Sequence, residues 1–167
     1  SAPASARQPI LGPMESSDTL PYTLFFLLAE IGFGGLIVMA VVDFRGQVTR
    51  GFIKATTVMV PVVLALATWV AFNLDGDIVE GFRLDPGPRD AIVGLMVAIT
   101  VGSVVHNLLL YTDRDRLAKW LGAGLSVLTI VVLLLAAIML RIPTWGMGLV
   151  FLSLLFGTLA IGLAVVG

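Results

Sequence analysis

Two side chains stand out by type and by where they fall: Glu30 and His106. Glu30 lies ten residues into an apolar run, Leu20–Phe44. A carboxyl at mid-depth in hydrocarbon costs about 2.5–3.5 kcal/mol on insertion scales, so such a residue is a candidate functional group. Its candidate chemistry is proton relay, contact with a quinol, or ion ligation; the competing reading is a protonated carboxyl hydrogen-bonded inside a helix bundle. His106 lies near the end of another apolar run, Ala91–Thr112, and is followed by Asn107. An imidazole there could ligate a haem or chlorin, shuttle a proton, or bond a quinone carbonyl. The competing reading is a structural histidine bonded to a backbone carbonyl or to Asn107. Glu30, His106 and Asn107 are thus the candidates for proton relay or quinone contact. As His106 is the single histidine, bis-histidine haem ligation would need a partner chain.

The elements that must hold these groups are long and apolar. Of 167 residues, 58% are hydrophobic and 13% charged, with a mean hydropathy of +1.04. A small soluble domain cannot hide that much apolar surface. Soluble enzymes, disulfide scaffolds and disordered chains are therefore excluded. No cysteine is present, so thiolate metal sites and Cys-ligated clusters are excluded too, and no metal site is expected. A net charge of −1 gives no footprint for nucleic acid.

Five apolar runs follow a polar tail at residues 1–19: Leu20–Phe44, Phe52–Leu74, Ala91–Thr112, Leu117–Leu140 and Thr144–Val166. Each is long enough, at about 1.5 Å per residue, to cross about 30 Å of hydrocarbon as a helix. Pro21 is expected at the start of the first helix, where a missing N–H costs nothing. The links Arg45–Gly51, Asp113–Arg116 and Arg141–Pro143 are short, which forces antiparallel neighbours. Asp75–Asp90, rich in Gly and Pro, reads as a turn-rich loop. The predicted fold is an all-α integral membrane protein. Residues 20–167 form one domain of five transmembrane helices in an antiparallel up-down bundle.

Six basic residues flank the first and third links (Arg45, Arg50, Lys54, Arg114, Arg116, Lys119), against four at the other end. The positive-inside rule then puts the N-terminus outside and the C-terminus in the cytoplasm. Asp43, Arg45 and Asp113–Arg116 read as solvated anchors at that boundary. Gly94, Ala98 and Gly102 recur every four residues, as does Gly34 after Glu30, and small residues so spaced let helices approach closely. Pro61, inside the second run, frees a carbonyl and is a candidate kink.

Pro21, Phe25, Glu30, Gly34-Gly35 and Ile37-Val38 together resemble the first helix of the membrane-anchor subunits of dimethyl-sulfoxide-reductase and polysulfide-reductase-type molybdenum enzymes. The Pro143-Thr144-Trp145 turn is similar to a later turn of that family. The resemblance implies a subunit that fixes an iron–sulfur and molybdenum module to a membrane and exchanges electrons with quinone, without haem of its own. It departs from the family in three ways. Family anchors have about eight or more spans, against five here. Where they carry a histidine after the second helix, this chain reads Asn73-Leu74-Asp75-Gly76, and where they carry a glutamate, Asp90 is the nearest acid.

The expected function is an integral subunit of a multi-subunit electron-transfer complex, respiratory or photosynthetic, in the bacterial cytoplasmic membrane. Its partners would be the lipid bilayer and other membrane and peripheral subunits, with quinone as the candidate cofactor. The alternatives are a small proton- or ion-coupled transporter or channel component, and a structural or pigment-binding scaffold.

Overall fold

The computed structural model describes residues 15–46, 48–74, 78–79, 82–83, 87–140 and 146–166, with side chains from residue 20 onward except in the two short strands. Most of the polar tail, most of the long link and the Pro143-Thr144-Trp145 turn lie outside the described residues.

The described residues form six helices: α1 (Glu15–Arg45), α2 (Arg50–Thr57), α3 (Met59–Phe72), α4 (Arg89–Tyr111), α5 (Asp115–Met139) and α6 (Met147–Val166). Because α2 and α3 run on from one another, they make one span, so five helices are long and apolar enough to cross a membrane: 26, 23, 23, 25 and 20 residues. The shortest covers about 30 Å at 1.5 Å per residue. Two details differ from expectation. The first helix starts at Glu15, five residues before the apolar run, so Pro21 falls inside it and cannot donate to the carbonyl of Ser17. The long link contains a two-stranded antiparallel ladder, β1 (Ile78–Val79) against β2 (Phe82–Arg83), too short for alternation to announce it.

Cross-helix pairs fix the directions. Gly32 meets Leu64, Asn107 bonds Thr57, Gly102 meets Leu125, and Lys119 reaches Asp43. Second contacts run the opposite way along each partner (Gly35 with Val60, Thr100 with Thr68, His106 with Gly122), and Lys119 near the start of α5 meets Asp43 near the end of α1. Thus α1, α3, α4 and α5 form a ring of antiparallel neighbours, α5 closing back on α1. The sixth helix packs outside this ring against α1 and α5. Contacts of Gly34 with Thr158 and Gly162, and of Glu30 with Gly157, show that α6 runs parallel to α1.

The core inside the ring is apolar, with Phe25, Phe33, Leu64, Met96, Ile99 and Val132 almost fully buried. Large apolar residues also point outward all round, among them Leu24, Leu66, Val101, Leu108, Val127 and Leu163. Such a girdle is unfavourable in water and matches hydrocarbon. Glycines set the spacing between helices. Gly32 gives room to Leu64, and Gly102 to Leu125. At the α1–α6 crossing, a Cβ on Gly34 would lie 2.8 Å from the Cα of Gly162 and also strike the carbonyl oxygen of Thr158. Backbone meets backbone here, so no side chain can move aside. The expected stripe on α4 divides: Gly94 and Ala98 are exposed, and only Gly102 enters a helix contact. The face of α4 that packs is Ile92, Met96, Ile99, Ser103 and His106.

Candidate functional site

Polar groups inside the ring begin with a consequence of Pro61. A proline in a helix has no N–H for the carbonyl four residues earlier, and its ring pushes that carbonyl aside. Here that carbonyl belongs to Thr57, and α2 gives way to α3 at Val58. The side chain of Asn107 on α4 donates to the freed oxygen, Nδ2 to O at 2.9 Å. Both residues are buried. Asn107 thus replaces the bond that Pro61 cannot make, and it ties α4 to the break. Its other atom, Oδ1, is buried with no hydrogen-bond partner.

His106 is the next residue on α4 and is 7% exposed. Its ring fills the place where α5 has Gly122: Nε2 lies 3.2 Å from where a Cβ would sit. Any larger residue at 122 would displace the imidazole. Beside it is a cavity of about 10 Å³, lined by His106, Asn107 and Ser103 with Thr57, Met39 and Ala40 among others. That is about the room one water needs, in a place with polar groups to hold it. It accommodates neither a haem or chlorin macrocycle nor a quinone ring. Further along α4, Ser103 donates to the carbonyl of Thr100 at 2.7 Å, and the hydroxyls of Thr100 and Thr68 lie 2.8 Å apart. The polar residues therefore follow one another along the α3–α4 contact.

Glu30 stands elsewhere. On α1 it is partly buried and rests over Gly157 of α6, with Oε1 3.1 Å from the position of the missing Cβ. Among the described residues its carboxylate has no hydrogen bond or ion pair. The α1 residues that line the His106 cavity, Leu36, Met39 and Ala40, are six to ten positions further on, about 9–15 Å along the axis. The structure therefore does not bring Glu30 and His106 together. Neighbouring Thr158 on α6 is fully buried, with an unpartnered hydroxyl. Sequence reading missed Thr158 and Gly162; their spacing of four, matching Glu30 and Gly34 on α1, was the available signal.

At the end of the bundle holding the first and third links, the charges pair. Arg50 bridges to Asp115 and lies 3.9 Å from Asp113. Lys54 reaches Asp113 at 3.2 Å and sits 5.6 Å from the Tyr111 ring centre. Lys119 donates to the backbone carbonyl of Asp43 at 3.0 Å and faces its carboxylate at 3.7 Å. Asp43, Asp113 and Asp115, read as solvated anchors, thus also help to clamp α1, α2 and α5 together at that end. Asp113 turns the chain from α4 to α5 with φ 56°, a left-handed conformation that Asp tolerates better than most residues. Six cations against three carboxylates give this end a net charge of +3 among the described residues. Arg45, Arg114 and Arg116 have no ion pair there.

Among the described residues no group of three or more His, Cys, Asp or Glu side chains could hold a metal. No family model, curated protein or solved structure matches the chain.

Proposed function

We propose that this chain is an integral membrane subunit of a multi-subunit electron-transfer complex in a bacterial cytoplasmic membrane, and that the bundle anchors partner subunits which carry the redox groups. The basic end faces the cytoplasm by the positive-inside rule. The observation that carries the reading is the seam between α1 and α6. A single carboxyl, Glu30, stands unpartnered over Gly157 at mid-depth, on the helix whose Pro21, Phe25, Glu30 and Gly34-Gly35 resemble the first helix of molybdenum-enzyme membrane anchors. The interior of the ring is filled by side chains and leaves water-sized space beside His106, so substrate chemistry falls to partner chains. Glu30, at the periphery of the ring, is the group placed to meet a quinone or a proton path formed with a partner.

Gentle solubilisation and isolation of the chain tests this. Redox subunits should co-purify, and Glu30→Gln should lower turnover of the complex while leaving it assembled. Recovery as a lone monomer without redox partners would refute the assignment, and loss of assembly in Glu30→Gln would make the residue structural.

A second reading, a component of a proton- or ion-coupled transporter, is favoured by the line of polar side chains from Asn107 through Ser103 to Thr100 and Thr68. It predicts uptake in liposomes containing the chain alone, abolished in the double variant Thr68→Val, Thr100→Val, which interrupts that line.

A further inference from the structure

Beyond their close crossing at Gly34 and Gly162, α1 and α6 leave an open groove toward the basic end. Its volume is about 300 Å³, and its walls are aliphatic: Ile37, Val38, Val41 and Val42 of α1, Leu159 and Leu163 of α6. Val48 closes one side, and Arg45, the last residue of α1, stands at its mouth. Arg45 is exposed and forms no ion pair among the described residues. The nearest acid in sequence, Asp43, faces away from the groove, with its carboxylate against Lys119 in a separate polar cleft.

We infer that this groove is a binding site for one anionic phospholipid, its acyl chain lying on the aliphatic walls and its phosphate paired with Arg45. The inference rests on the reading of the chain as membrane-integral, but not on its membership of a redox complex. Three features select this occupant. The walls offer no polar group to orient a ring, so they suit a flexible hydrocarbon chain. The one charged group lies at the end of a membrane-length helix, where headgroups begin. It is a guanidinium, whose planar fork matches two phosphate oxygens. Basic pockets between spans on the cytoplasmic side, where anionic lipids concentrate, hold such headgroups. A quinone fits less well, because the groove supplies no carboxylate or imidazole to exchange the protons that quinone reduction needs.

The test uses the full chain in mild detergent with equal amounts of phosphatidylglycerol and phosphatidylcholine, read by native mass spectrometry. One phosphatidylglycerol should be retained in preference to phosphatidylcholine. Arg45→Gln should lower that retention about fivefold, the effect of one basic residue near a membrane surface. Arg116→Gln, which removes a charge from the same end but outside the groove, should leave retention unchanged. Val41→Trp, which fills the groove and keeps Arg45, should abolish it. Glycerol phosphate, which has the headgroup chemistry but no chains, should not compete. Equal retention of the two lipids, equal losses in Arg45→Gln and Arg116→Gln, or competition by glycerol phosphate would each overturn the assignment. A chain that stays in solution without detergent would instead overturn membrane integration itself, and shows before any lipid is added.

Discussion

Asn107→Leu should destabilise the bundle only because residue 61 is proline. The substitution removes a 2.9 Å bond to the Thr57 carbonyl and leaves that oxygen buried without its donor. An orphaned buried acceptor costs about 1–3 kcal/mol. Interhelical hydrogen bonds measured in a membrane protein average about 0.6 and reach about 1.7 kcal/mol. The variant also deletes Oδ1, itself buried without a partner, which offsets part of the loss. The expected net cost is therefore about 1 kcal/mol. In Pro61→Ala the backbone N–H returns and can bond Thr57 within the helix, making Asn107 redundant. There the same Asn107→Leu should be neutral or slightly stabilising, so the double-mutant cycle should give a coupling of about 1 kcal/mol. The assay is unfolding by sodium dodecyl sulfate in mixed micelles, followed by tryptophan fluorescence, on the four proteins of the cycle. Equal costs in both backgrounds would refute the view that Asn107 substitutes for the proline's missing donor.

Gly34→Ala should cost about 1–3 kcal/mol in the same assay, since its methyl group meets the α6 backbone, which has no rotamer to change. Gly94→Ala, facing open space, should be neutral or stabilise by up to about 1 kcal/mol through helix propensity. Gly122→Ala should crowd the imidazole of His106 and shift its NMR resonances while leaving α5 helical; unchanged resonances would mean the ring does not sit against Gly122. Lys119→Met should cost about 1 kcal/mol or less, and the difference from the parent should shrink in high salt, because the pair with Asp43 lies at a partly exposed face.

The five helices long and apolar enough to cross a membrane were legible because crossing hydrocarbon demands one length and one polarity, and the runs from Leu20, Phe52, Ala91, Leu117 and Thr144 meet both requirements. The freed carbonyl was legible as well, since proline chemistry names its position. Its donor was not: choosing Asn107 requires the register of α4 against α3, which is set by packing of Met96, Ile99 and Leu64 and not by either sequence alone. The same ignorance of neighbours explains the stripe on α4. Gly94, Ala98 and Gly102 mark a face narrow enough for close packing, yet the partner helices lie on the Met96, Ile99 and Ser103 face and touch the stripe only at Gly102. Glu30 announced itself by its cost in hydrocarbon, but its place over Gly157 depends on the parallel docking of α6, which no local pattern specifies. The charge pairs at the basic end were hidden for the same reason, as each joins residues at least 59 positions apart.

Because the chain has no cysteine, each introduced cysteine is a unique probe. Single cysteines at Gly46, in the turn after α1, and at the outward-facing Leu66, Val101 and Leu163 can be treated with a membrane-impermeant maleimide in inside-out vesicles. If lipid surrounds the ring and the basic end lies in the cytoplasm, Gly46→Cys reacts at once and the other three stay unlabelled until detergent is added. Rapid labelling of Leu66→Cys or Val101→Cys in sealed vesicles would contradict a membrane-spanning bundle.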